Sequence, residues 1–379
     1  MKLDDAVIEK RRFVGIEGVA HLCTGGEALP LKAHADAAAR FFADKAGGMA
    51  GRARFFEVRD AVKQRLSGLL RLPEADIGFL LNASDGMATA VAGLDLGSSG
   101  NIVVARSEYV SLPLSAHRRA LAGGQVRIAG AGITTPLAEY ERHVDADTRA
   151  ILVSHVSHLT GIHHDLAGFR ALADTVGARL IVDVSHSLGA VPVDGNLCDA
   201  LVSCCYKWQL GTHGCGIFAV NGARWPDLGP LAWGWNSIEP EEDWTNKEQF
   251  RFRQGAERFE TGNAPFLALY LLDTGLSALC EVGENVRASH VRALSGAVRE
   301  ALVEAGLAVV TPAAPEARAG NVSYLSTDPM GEVAWLRSEG VHVWGGEGRV
   351  RISTHVYNDG EDVAALCAAL ARRPAGLAP

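Results

Sequence analysis

Lys207 stands between Tyr206 and Trp208 in "CCYKWQL", at the end of an apolar run. A lysine in such a place serves as a surface snorkel, as a phosphate anchor or, where burial and neighbouring cations disfavour its charge, as an amine that attacks a carbonyl. Asp183 ends "RLIVDV", a run so apolar that a carboxylate at its tip must be paired or must serve a ligand cation. His186 follows in "DVSHSLG" and is open to three roles: turn cap, satisfied interior histidine, or contact to the same ligand. Ser84, Asp85 and Gly86 lie where "FLLN" gives way to the helical pattern "MATAVAGL". A hydroxyl and fresh backbone donors at a helix start receive a phosphate, or form an ordinary N-cap. Tyr109, in "SEYVS", offers an aromatic face.

These residues need a scaffold that gathers them. The runs "IGFLLN", "NIVVA", "AILVSHV", "RLIVDV", "ALVSCC" and "GIFAV", between residues 77 and 220, read as strands buried on both faces and alternate with helical or loop segments. That pattern predicts an α/β fold built on a mostly parallel sheet. Ligands of such sheets sit outside the carboxyl ends of the strands, and that is where the polar residues above fall. "LAGFRALADTVGA" has helical spacing and stops at Gly177. Residues 31–71 carry two helical patterns divided by "GGMAGRA", and residues 266–306 carry two more that lead into a C-terminal αβ unit. The expected organisation is an N-terminal segment over 1–30, a large domain over 31–270 and a small C-terminal α/β domain over 271–379. The acidic, tryptophan-rich stretch "WGWNSIEPEEDWTNKEQF" lacks periodicity, and a loop of that length in a compact protein is usually functional. Trp233 and Trp244 within it are read as pins holding the loop to the core.

Composition narrows the function. The chain has 379 residues, 48% hydrophobic and 21% charged, enough to bury a deep site. A net charge of −8 with interspersed signs excludes nucleic acid as an expected partner. No run approaches the roughly 20 apolar residues of a membrane helix, and "MKLDDAVIEKRR" is too charged for a secretory signal, so no membrane partner and a cytoplasmic location are expected. The seven cysteines are odd in number and scattered, as reduced thiols are. Cys204 and Cys205 face opposite sides of a strand and are read as core packing. His155, His158, His163 and His164 crowd "SHVSHLTGIHHDL", but their spacing fits no zinc pattern, and no metal is expected.

A lysine, a buried acid, an aromatic plate and a hydroxyl-bearing helix start together form the equipment for pyridoxal 5'-phosphate (PLP). Lys207 would hold the aldehyde as a Schiff base, Asp183 would pair with the pyridinium nitrogen, Tyr109 would stack on the ring and the Ser84 loop would take the phosphate. "DVSHSLGAVPVDGNLCDALVSCCYKWQLGTHGCGIFAVN" resembles the cofactor-lysine region of class V, fold-type I PLP enzymes, which include kynureninases, cysteine desulfurases and isopenicillin-epimerase-like proteins. "FLLNASDGMATAVAGL" is similar to their phosphate segment, "SEYVSLP" to their ring-stacking segment, and "VRISTHVYNDGEDVAALCAAL" to the segment whose arginine receives the substrate carboxylate. Spacing alone does not choose between Arg349 and Arg351; the resemblance assigns Arg351. It also implies that Tyr206 contacts the phosphate, that Trp235 and Thr261 join the cofactor set, partly across a dimer interface, and that the enzyme is a homodimer with shared active sites.

Two departures bear on the reaction. Desulfurases carry a nucleophilic cysteine shortly before the carboxylate arginine, whereas no cysteine stands between Cys280 and Cys367. Kynureninases carry an acid three positions after the stacking aromatic, where Leu112 stands here. The expected function is action on an amino acid through a Cα carbanion, with side-chain cleavage by a carbon–sulfur β-lyase or a kynureninase-like route. Transamination and epimerisation are alternatives, and a catalytically silent binding relative is an alternative of another class.

Overall fold

The computed structural model describes residues 3, 5–239, 245 and 247–374; Trp244 lies outside them. The strands β1 (Ile77–Leu80), β2 (Asn101–Ala105), β3 (Gln125–Ala129), β4 (Thr148–Ser154), β5 (Arg179–Asp183), β6 (Ala200–Cys204) and β7 (Gly216–Val220) form one seven-stranded sheet. Its order is β1-β7-β6-β5-β4-β2-β3. β7 runs antiparallel to both neighbours, and all other pairs are parallel. The expected mostly parallel α/β sheet is therefore present, including each strand read from an apolar run.

β3, at one edge of the sheet, lacks the apolar pattern because most of its residues are only partly buried. "QVRIA" is buried fully only at Ala129, and its Arg127 pairs with Asp145 in solvent. Inner strands instead alternate apolar residues to two cores. Val103, Ile151 and Val182 pack toward α1 (Ala33–Ala46), α2 (Gly48–Leu70) and, beyond the sheet strands, the helix Phe266–Val282. Ile102, Leu152 and Val202 pack toward α3 (Ala83–Ala92) and α4 (Ser111–Ala120).

"GGMAGRA" interrupts the helices less than its glycines predict. Only Gly47 and Gly48 break the path, with Gly48 at φ +59°, and Met49 to Ala53 already belong to α2. Gly51 explains the close approach of the two helices: a Cβ there would meet the Asp44 carbonyl oxygen at 1.8 Å. The helix expected over residues 166–178 is α5 (Leu166–Asp174), with Gly177 beyond it at φ +68°.

α6 (Phe266–Val282) packs on α1 and α2, and the chain bends by 87° before α7 (Glu284–Glu304). Three short strands follow, β8 (Asn321–Leu325), β9 (Trp344–Gly346) and β10 (Arg349–Ser353), in the antiparallel order β9-β10-β8. α8 (Pro329–Ser338), α9 (Gly360–Leu370) and α7 cover this sheet with a core of its own. Ala20–His21 pairs in parallel with Val341–His342, so the N-terminal segment is stitched to the C-terminal unit. No single helix among the described residues is long and apolar enough to cross a membrane.

Candidate active site

The carboxyl ends of β1, β2, β4, β5 and β6 open on one cleft. At its floor Asp183 ends β5, where its Oδ1 accepts the Ser185 N–H at 2.8 Å. Burial raises the Asp183 pKa, against the pull of the Ser185 hydrogen bonds and the Lys207 charge. Lys207 follows β6, and its Nζ lies 3.0 Å from His186 Nε2.

A hydrogen-bond chain ties that contact to the C-terminal unit. Asn321 Oδ1 accepts the Ser353 hydroxyl at 2.8 Å, so its amide donates to His186 Nδ1 at 2.9 Å. Burial, then Lys207 and Arg351, push the His186 pKa well below the usual histidine range, leaving one ring proton. The C-terminal unit thus reaches the lysine through β8.

Tyr109, 46% exposed, forms one wall and meets His158 edge-on, with ring centroids 5.3 Å apart. His158 is pushed down to about 2 by burial, with Arg351, Arg349 and Lys207 adding to it. Its buried Nδ1 has no partner among the described residues and is available to a ligand in the cleft. At the opposite end Asn82 is extended and accepts the Asp85 N–H at 2.8 Å, starting α3. Ser84 Oγ lies 2.7 Å from Ser111 Oγ, so two hydroxyls join the first-turn donors of α3. Tyr206 lines the cleft and stacks on His213 at 4.0 Å.

Of the residues expected from sequence, Ser84, Tyr109, Asp183, His186, Tyr206 and Lys207 line this cleft together. Arg351 lies just behind it: Nη1 donates to the His158 carbonyl at 3.0 Å, and the guanidinium sits 4.9 Å over the Trp344 ring. Asp85 turns away, accepting the Leu81 N–H at 3.4 Å, and lines a separate groove with Thr261. Trp235 lies in an aromatic hollow with Trp233, Phe250 and Phe252. Trp235 and Thr261 are not part of the Lys207 cleft lining within the single chain.

Asn82, Ser111, Glu108 and Asn321 carried no signal strong enough to single them out. The first two are ordinary polar residues at helix starts, and the last joins the site only through a contact distant in sequence. Cys204 lines the cleft while Cys205 points into the core under the sheet, so the expected opposite facing holds but only one thiol is packing alone. Cys23 lies beside Arg351, whose charge offsets part of the burial that raises the thiol pKa. His155 and His163 bond to each other at 2.8 Å, and His164 bonds the Ser154 carbonyl.

A cleft lined by a lysine amine, a buried carboxylate, an aromatic wall and an imidazole with an unpartnered nitrogen suits the chemistry of a phosphorylated pyridine aldehyde. The profile of class-V aminotransferases matches residues 46–366. The chain belongs to the class-V aminotransferase family. Its cofactor is pyridoxal phosphate.

Class-V relatives differ in what they do. The uncharacterised aminotransferase YcbU of Bacillus subtilis (strain 168) is 22% identical over 311 residues, spanning 81% of each chain. The kynureninase of Burkholderia mallei (strain SAVP1) is 30% identical over 190 residues, covering 48% of this chain and 45% of the kynureninase. Among solved structures, a C-DES variant with glycine covalently linked to its PLP cofactor aligns with a TM-score of 0.88 at 20% identity, over 97% of this chain and 100% of that one. The apo cysteine desulfurase of Thermococcus onnurineus NA1 aligns with a TM-score of 0.86 at 19% identity, over 96% of both chains.

Proposed function

We propose that this class-V enzyme acts on an amino acid and cleaves a side-chain bond after removing the Cα proton, most simply as a carbon–sulfur β-lyase. The observation that carries this reading is the meeting of Lys207, Asp183, Tyr109 and the α3 start in one cleft. Pyridoxal phosphate, when bound, supplies the electron sink that stabilises negative charge at Cα. Lys207 would hold the cofactor's aldehyde and would move the substrate's Cα proton at Nζ. Asp183 holds a proton at the pyridine nitrogen, Tyr109 covers the ring, and Ser84 and Tyr206 bind the phosphate with the first turn of α3. His186 orients Lys207, and Arg351 receives the substrate carboxylate.

Leu112 is fully buried against this cleft, at the place where kynureninases carry an acid, which favours carbon–sulfur cleavage over kynureninase-like scission. Trp235 and Thr261 fit the same reading as phosphate contacts for a second copy of the chain, making the enzyme a homodimer with shared sites.

Transamination is the second reading, favoured by the YcbU match along most of both chains. Purified protein is expected to show the visible absorbance of lysine-bound cofactor, and Lys207→Ala to lose it along with turnover. A panel of amino acids then separates the reactions: release of a keto acid with ammonia supports the lyase, whereas conversion of the cofactor to its amine form supports transamination. Absence of cofactor absorbance in the wild type, or turnover in Lys207→Ala, overturns the proposal.

A further inference from the structure

β10 presents two arginines to one face, and both guanidiniums sit 4.9 Å from the ring of Trp344 on the neighbouring strand. Arg349 is 2% exposed, and its Nε and Nη2 have no partner among the described residues. Arg351 is 4% exposed, and its Nε is likewise unpartnered. Two buried guanidiniums with spare donors form a costly arrangement unless anions complete it. Arg349 has one ion-pair partner, Glu347, at 2.7 Å.

That partner is a surface residue. The Glu347 side chain is 64% exposed, and its backbone adopts φ +50° in the two-residue turn of the β9–β10 hairpin, where Gly348 follows at φ +72°. Such turns favour glycine or asparagine, so a glutamate there is held against its local preference. Its Oε2 also stands 4.0 Å from Nε2 of His158, a lining residue of the Lys207 cleft. An exposed carboxylate therefore sits within reach of a cleft-lining residue, on the one arginine that the α-carboxylate does not need.

We propose that the site selects amino acids whose side chain bears a second anionic group, a carboxylate or sulfinate, with Arg351 taking the α-carboxylate and Arg349 the side-chain anion. Glu347 holds the place of that anion and swings out when the substrate enters. This selectivity rests on the amino-acid reading above. Trp344, whose ring both guanidiniums contact at 4.9 Å, orients the two cations.

The test is an equilibrium titration of the holoenzyme, following its cofactor absorbance, with L-aspartate and L-glutamate against L-asparagine and L-glutamine. The acidic member of each pair is expected to bind on the order of tenfold tighter, the scale of one charge-assisted hydrogen bond. Arg349→Gln is expected to bring the ratio near one. Glu347→Gln, which keeps an amide oxygen for Arg349 to donate to, is expected to raise the ratio several-fold by removing the competing carboxylate. It decides the matter should Arg349→Gln fail to fold. Equal binding of acidic and amide partners by the wild type, or a ratio unmoved by Glu347→Gln, overturns the inference while leaving the amino-acid reading intact. No spectral response to any amino acid overturns that reading and this inference with it.

Discussion

Glu108 is a carboxyl group that the fold keeps protonated to a higher pH than the free side chain, and replacing it with glutamine removes one pH dependence of stability. It is buried beneath the cleft, where it accepts the Ser154 N–H at 2.9 Å, the Tyr140 hydroxyl at 3.1 Å and the Ser154 hydroxyl. Burial lifts its pKa from 4.5 to about 7, with the nearby Asp183 charge adding to the lift and the Ser154 hydrogen bonds opposing it. Because the folded chain binds this proton more tightly than the unfolded one, the associated stability is complete below pH 4.5 and is lost as pH rises through about 7. A shift of that size corresponds to about 3 kcal/mol. In Glu108→Gln the amide oxygen keeps the Ser154 N–H and Tyr140 bonds, and the amide nitrogen donates to the Ser154 oxygen, so no polar atom is stranded. Urea unfolding of both proteins from pH 4 to pH 8 gives the measurement. The wild type minus variant difference is expected to fall by about 3 kcal/mol across that range. A flat difference refutes the assignment of Glu108 as the group that titrates.

Asp183→Asn is expected to keep the cofactor absorbance but to lower kcat on the order of a hundredfold, the scale of one preorganised electrostatic contact; a change of only a few-fold contradicts its role at the ring nitrogen. Gly189 adopts φ +92°, and a Cβ there would lie 2.4 Å from the Trp208 carbonyl oxygen beside the lysine. Gly189→Ala is expected to lose more than about 1 kcal/mol of stability, and an unchanged urea midpoint argues against this packing of the lysine loop.

The sheet and much of the cleft are legible from sequence because both obey short-range rules. Strands buried on both faces write themselves as continuous apolar runs, and the rim rule then points to the polar residue that ends each one. β3 breaks the first rule because most of its residues are only partly buried, as Arg127 illustrates. The second rule fails for contacts that the main sheet does not make. Asn321 belongs to a different sheet, and its bond to His186 exists only because the C-terminal unit folds back over the rim. Asp85 shows the opposite limit. A residue beside Ser84 inherits the same motif, yet the turn of α3 sends it to another groove.

β7, the one strand that runs against the others, has a consequence for how the lysine works. Cys204 and Gly216 pair across the sheet, so residues 205–215 leave and re-enter at a single point. The excursion is cross-tied inside as well, by Gly211 N–H to the Cys205 carbonyl and by the Gln209 amide to Leu188 and Ser203. A chain segment closed at its base and tied through its middle has little conformational entropy left to surrender. In the proposed reaction Lys207 would therefore present its amine by rotation about its own side-chain bonds, above a backbone already tied in place.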